Sequence, residues 1–167
     1  MGSNNEISKQ QINEIKKKIT EYPDMDRINF LTNRPWWNSD HTKINEYLKT
    51  LIPGTQLVAN PSDKEEVQKF IESMKNVTIK IADNKNIKLQ RMDNSQCHQN
   101  SFMLLLNKNI KQMNSGYALS ADGLWRHHSW CIDMNNNIIE TTIKRLIYVS
   151  SNVIDKEKIF KQMGIMK

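Results

Sequence analysis

Cys97, the adjacent histidines His127 and His128, and the carboxylate of Glu140 are the residues of this chain whose types suit covalent chemistry. A thiol becomes a nucleophile when it ionises, and a free cysteine does so only around a pKa of about 8.5. Cys97 stands one helical turn ahead of the apolar run SFMLLLN, and Asn94 and Ser95 just before it are good cap residues. The spacing therefore predicts a helix with Cys97 in its first turn. There the unpaired amides and the helix dipole favour a thiolate, and the same amides can form part of an oxyanion hole. The competing role for such a cysteine is that of a small buried hydrophobe.

The histidines lie in GYALSADGLWRHHSWCID, where Asp122 and Gly123 suit a tight hairpin turn. With those two as the turn residues, Ala121 pairs with Leu124 and Tyr117 comes opposite His128. Strand alternation puts Leu124, Arg126, His128, Trp130 and Ile132 on one face and Trp125, His127, Ser129 and Cys131 on the other. Neighbouring histidines thus point in opposite directions, and one at most can serve Cys97. If the chain turns around Met134 to Asn136, the segment IIETT returns antiparallel, with Thr142 nearly opposite His128 and Glu140 diagonal on the same face. A carboxylate there can accept a ring N–H and fix the tautomer, although a solvated strand glutamate is the plainer alternative. Cys97, His98, His127, His128 and Cys131 are also zinc-ligand types. No CxxC or HxxxH pair is present, however, and His128 and Cys131 fall on opposite faces, so the spacing is unlike that of a structural zinc site. His98 diverges from Cys97 along the helix and reads as packing or support, and Cys131 as strand filling.

These side chains need a scaffold, and the rest of the sequence outlines one. Ile7, Ile12, Ile15 and Ile19 recur at helical spacing up to Pro23. Asn38 to Asp40 can cap a second helix carrying Ile44, Tyr47, Leu48 and Leu51, closed by Pro53 and Gly54. Ser62 and Glu65 form a capping-box pattern ahead of a third, striped by Val67, Phe70, Ile71 and Met74. VTIKI and IKLQRM alternate as a hairpin or as two separate sheet strands, and RLIYV supplies a further strand. Ser151 or Asp155 is expected to start a terminal helix ending near Gly164. Helices, then a cysteine-bearing helix packed on an antiparallel sheet, define an α+β class, read as one domain over 1–167 with a helical part at 1–76 and a core at 77–167.

Composition narrows the functional classes. A chain of 167 residues buries about two thirds of its unfolded surface, enough for a core without metals or disulfides. Two cysteines are too few for a disulfide framework. The first residues lack the apolar core of a secretory signal and no apolar run approaches a membrane span, so a soluble protein without membrane association is expected. The location expected is the cytoplasm, or a host cell reached without a cleaved signal. The formal net charge of +6 comes from scattered lysines, with Lys16 to Lys18 the one run, which does not make the clustered basic face that nucleic acid requires.

A cysteine opening an apolar helix, then a histidine on a strand, then a polar acceptor on the next strand is the chain order of papain-like cysteine hydrolases, including their compact cell-wall amidase branch. The layout from Asp93 to Val149 resembles theirs. CHQN with GYALSADGLWRHHSW and ETT also resembles small bacterial and phage proteins of mostly unassigned function, which carry Cys-His-x-Asn and then Trp-Arg-x-His-Ser-Trp. That similarity implies His128 rather than His127 as the active histidine. The resemblance implies a papain-like core with Cys97 as nucleophile, His128 as base and then acid, and Glu140 as orienter, acting on an amide of a protein or peptide through a thioester. Peptidase, amidase and glutamine deamidase or transglutaminase activity all fit, and such a mechanism requires no metal or organic cofactor. Papain draws its oxyanion side chain from a glutamine several residues before the cysteine, whereas here Gln96 is adjacent and Gln90 is seven back. Asn100 could instead bond the loop before the helix and hold the site. Tyr117, Arg126 and Trp130 are expected to line the cleft, while Trp36 and Trp37 read as packing residues. The alternative is a non-catalytic protein-binding module of a mobile element or effector on the same fold.

Overall fold

The computed structural model describes residues 7–83, 85–93, 96–106 and 109–157, except for the side chains of Asn152 and Asp155. Helix α1, Lys9–Lys18, starts at a reciprocal capping box between Ser8 and Gln11, and Lys16, Lys17 and Lys18 occupy its last turn, where cations complement the dipole. Helix α2, Met25–Thr32, is capped by Asp24. The sequence reading missed it, because eight residues with one buried side chain carry no apolar stripe. Helix α3, Ser39–Leu51, is capped by Asn38 as expected and buries Ile44, Leu48 and Leu51. Helix α4, Lys64–Ser73, starts one residue later than Ser62 would set it, at Asp63, with no side-chain capping bond. The Asp63 carboxylate is committed elsewhere, accepting from His41 Nε2 at 3.2 Å and from the Asn60 amide at 2.9 Å.

Among the described residues seven strands follow: β1 Gln56–Leu57, β2 Thr78–Ile81, β3 Ile87–Leu89, β4 Ile110–Leu119, β5 Leu124–Asp133, β6 Ile138–Glu140 and β7 Ile147–Asp155, with helix α5 at Cys97–Leu105 between β3 and β4. The order is β2-β7-β4-β5-β6-β3, with β1 beside β5. The sheet is mixed. β2 runs antiparallel to β7, while β3 is parallel to β6 and β1 is parallel to β5. VTIKI and IKLQRM therefore supply two separate strands. Ser151 falls within β7, whereas Asp155 ends that strand and the backbone turns helical at Lys156, so the second of the two expected helix starts is the one observed; Gly164 lies outside the described residues.

The β4–β5 turn decides which side chains face each other. Gly123 takes φ +77°, but Asp122 does not enter the positive region. The Ser120 amide donates to the Leu124 carbonyl at 3.1 Å and the Gly123 amide to the Ser120 carbonyl at 3.0 Å, so the turn holds three residues rather than two. Ser120, not Ala121, then faces Leu124. The pairing moves by one, and Tyr117 lies against His127, ring centroids 5.8 Å apart, instead of opposite His128.

The chain forms two compact units. One comprises the described part of Met1–Ile81 with Gly116–His127 and Arg145–Ser151; the other comprises Ala82–Ser115, His128–Lys144 and the described part of Asn152–Lys167. In the first, Ile15, Ile44, Leu48, Leu57, Val67 and Phe70 pack with Tyr117, Leu119, Trp125 and Val149. The buried Trp125 indole donates to Thr55 Oγ1 at 2.8 Å. In the second, Leu104 and Leu105 of α5 pack with Ile110, Met113, Cys131 and Ile139.

Candidate active site

Cys97 is the first residue of α5, where backbone amides lack intrahelical partners. Gln96 is the cap residue and makes no side-chain capping bond; Asn94 and Ser95, the caps expected from the sequence, lie outside the described residues. One turn on, Asn100 Nδ2 donates to the Asp93 carbonyl at 2.8 Å and to Thr141 Oγ1 at 3.3 Å. That buried amide ties the chain ahead of the helix to the segment after β6. The apolar side of α5 rests on the Leu104 and Cys131 cluster, which leaves Cys97 at the half-exposed end.

Antiparallel pairing of β5 with β6 sets the other half of the site. Cys131 faces Ile139 and Ile132 faces Ile138, a register that carries Glu140 to the diagonal of His128. His128 Nε2 lies 2.8 Å and 3.0 Å from the two Glu140 carboxylate oxygens. Glu140 also accepts from the Thr142 amide at 3.2 Å and the Thr142 hydroxyl at 3.1 Å. Both members are closed off from solvent, His128 at 2 % and Glu140 at 0 % exposure. Nε2–H therefore donates to the carboxylate, and Nδ1 is the nitrogen available to the Cys97 thiol, with which the ring is hydrogen-bonded. Trp130 stacks on the imidazole at 6.0 Å and limits its rotation.

The electrostatics follow from these contacts. Burial opposes ionisation of Cys97, but the hydrogen bond and charge of His128, with the Ser129 amide, outweigh it and hold the thiol below its ordinary value. Burial likewise opposes the imidazolium of His128, and its bonds to Cys97 and Glu140 together raise it above the usual histidine range. Thiolate and imidazolium stabilise each other. Cys131 is the contrast: burial pushes it up to about 12, and its S–H donates to the Ser101 carbonyl at 3.1 Å.

The remaining expected site residues distribute differently. His98 Nδ1 lies 3.1 Å from Ser129 Oγ, which is 2.9 Å from Ser115 Oγ. Ser129 and Ser115 were not singled out from the sequence, since alternation alone puts Ser129 on the face away from His128. Gln96 is exposed. Trp130 is 1 % exposed and supports the imidazole, so it offers a substrate no open surface. Tyr117 is fully buried in the first unit, with its ring edge on Phe70, because the three-residue turn moves it into register with His127. Arg126, also in that unit, donates to Asp122 at 2.8 Å. Burial of Asp122 is outweighed by that guanidinium, and the carboxyl is held below its usual range. Trp36 donates to the Ala59 carbonyl at 2.7 Å, and Trp37 stacks on His41 at 5.4 Å.

Among the described residues no group of three or more His, Cys, Asp or Glu side chains is arranged to hold a metal ion. None of their helices is long and apolar enough to cross a membrane. No family model matches the chain, and no curated protein or solved structure is significantly similar to it.

Proposed function

We propose that the protein is a papain-like cysteine hydrolase or acyl-transfer enzyme acting on amide bonds, with a Cys97–His128–Glu140 triad. One observation carries the reading: a solvent-shielded imidazole bonded on one side to a thiol at a helix N-terminus and on the other to a buried carboxylate. Burial of an imidazole and a carboxylate is costly unless each is paired, and active sites are where that cost is commonly met.

In this reading the Cys97 thiolate attacks the carbonyl carbon of the amide, forming a C–S bond while the π electrons move to the oxygen. The resulting oxyanion is received by amides at the start of α5, including that of Cys97 itself. On collapse the C–N bond breaks, and the His128 imidazolium gives its proton to the departing nitrogen. Water or an amine, deprotonated by His128, then attacks the thioester and releases Cys97. Glu140 keeps the ring oriented and stabilises its positive form, and Thr142 holds Glu140. Peptidase, amidase and glutamine-directed activities share these steps.

Iodoacetamide alkylation across pH tests the reading. Cys97 is expected to react quickly near neutrality and selectively over Cys131, and His128→Ala to slow it. Alkylation of Cys97 no faster than an ordinary exposed thiol, unchanged by His128→Ala, would falsify the enzyme and favour a protein-binding module.

A further inference from the structure

Helix α5 begins without a capping bond from Gln96, yet its first side chain must meet the His128 ring. Something else must fix that turn. Ser129 makes three connections there. Its backbone amide bonds the Cys97 sulfur, and its hydroxyl lies 3.1 Å from His98 Nδ1 and 2.9 Å from Ser115 Oγ. Ser129 is fully buried, whereas His98, the second residue of α5, is exposed. The hydrogen bonds can run in one direction, Ser115 donating to Ser129 and Ser129 to Nδ1, or in the other with Nδ1–H as donor.

We propose that Ser129 and His98 are positioning residues for the Cys97 nucleophile: their side-chain bond clamps the first turn of α5 to β5, seating the sulfur on the Ser129 amide and beside His128. The inference rests on Cys97 acting as a thiolate nucleophile. It assigns a task to the histidine of the Cys-His pair that takes no part in the proposed proton transfers. Nothing in the clamp touches the reacting amide. Its loss should therefore loosen the geometry that ionises the thiol while leaving the chemical groups in place.

The test uses the full chain and reads the pH midpoint and rate of Cys97 alkylation beside thermal stability. His98→Leu removes the bond at an exposed site, and His98→Asn restores a polar atom near the Nδ1 position. Ser129→Ala removes the same bond from the strand side. His98→Leu and Ser129→Ala should each raise the midpoint by about half a unit or more. Each should also slow alkylation at pH 6.5 by about threefold or more, the scale of one lost hydrogen bond, with His98→Asn within about twofold of the parent. A packing role alone would lower thermal stability and leave the midpoint in place. The proposal is overturned if His98→Leu leaves the midpoint unmoved, or if His98→Asn is as slow as His98→Leu. Should Ser129→Ala fail to fold, the His98 pair decides alone. His128→Ala separates the two levels: a loss of rate there with none in His98→Leu sinks only the clamp, while no loss in either sinks the proposed function as well.

Discussion

His128 is pulled by two acidic partners whose effects reinforce each other. The raised imidazole and the lowered thiol both favour the pair of Cys97 thiolate and His128 imidazolium. The folded-state value of Cys97 is below its unfolded one, so its contribution to stability is present above the unfolded value and is lost as pH falls through the folded value. His128 runs the other way: its contribution is complete below the unfolded imidazole value of about 6.5 and is lost as pH rises through the raised folded value. Alkylation measured against pH should therefore reach its plateau below the ordinary thiol range. Without the imidazole, an ordinary thiol at pH 6.5 is only about one part in a hundred ionised, so His128→Ala should cut the rate there by roughly tenfold or more. Glu140→Gln replaces a buried charge by a neutral amide of similar shape. It should lower the His128 value, as followed by the imidazole resonances in NMR. The diagonal relation of His128 to Glu140 was legible in the sequence, since it follows from a period of two and one short turn, whereas the preference for His128 over His127 came from the resemblance. Ser129 was not. Its partner His98 is 31 residues away on another element, and nothing local marks such a pairing.

At the scale of elements, ends and turns decide what alternation can deliver. Asn38 accepts from the amides of Asp40 and His41, so Asn38→Ala should destabilise the fold by about 1 kcal/mol in urea unfolding. The β4–β5 turn is more exacting. A Cβ on Gly123 would lie 2.9 Å from both the Glu21 carbonyl and Pro23 Cδ, in a backbone region that L residues avoid. Gly123→Ala is therefore expected to cost about 1–3 kcal/mol, read from the same denaturation curves. Asp122-Gly123 announced a hairpin, but the dipeptide alone does not distinguish a two-residue from a three-residue loop. That single residue moved Tyr117 from the expected cleft into the core. Helix α2 escaped notice for a related reason: its signals are a cap at Asp24 and little else, with Met25 and Phe30 exposed.

For the molecule as a whole, the segments that complete each core are far apart in the chain. Tyr117, Leu119, Trp125 and Val149 are buried by Ile44, Leu48, Leu57 and Phe70 of the N-terminal part. A fragment beginning at Ala82 keeps the Cys97 and His128 pair but exposes those aromatic and aliphatic side chains. It should aggregate or lack a cooperative thermal transition, as circular dichroism and size-exclusion chromatography would record. The periodicity of Val67 and Phe70, or of Leu119 and Trp125, predicts that each is buried; it does not say against which distant segment. The unequal fates of the two cysteines have one more consequence. Cys131 is sealed and bonded to a carbonyl, so it is poorly placed to trap a sulfenic acid formed at Cys97. Peroxide would then drive the partly accessible Cys97 sulfur on to irreversible acids instead of an internal disulfide, and the protein would age in air by losing one atom's chemistry while its architecture endures.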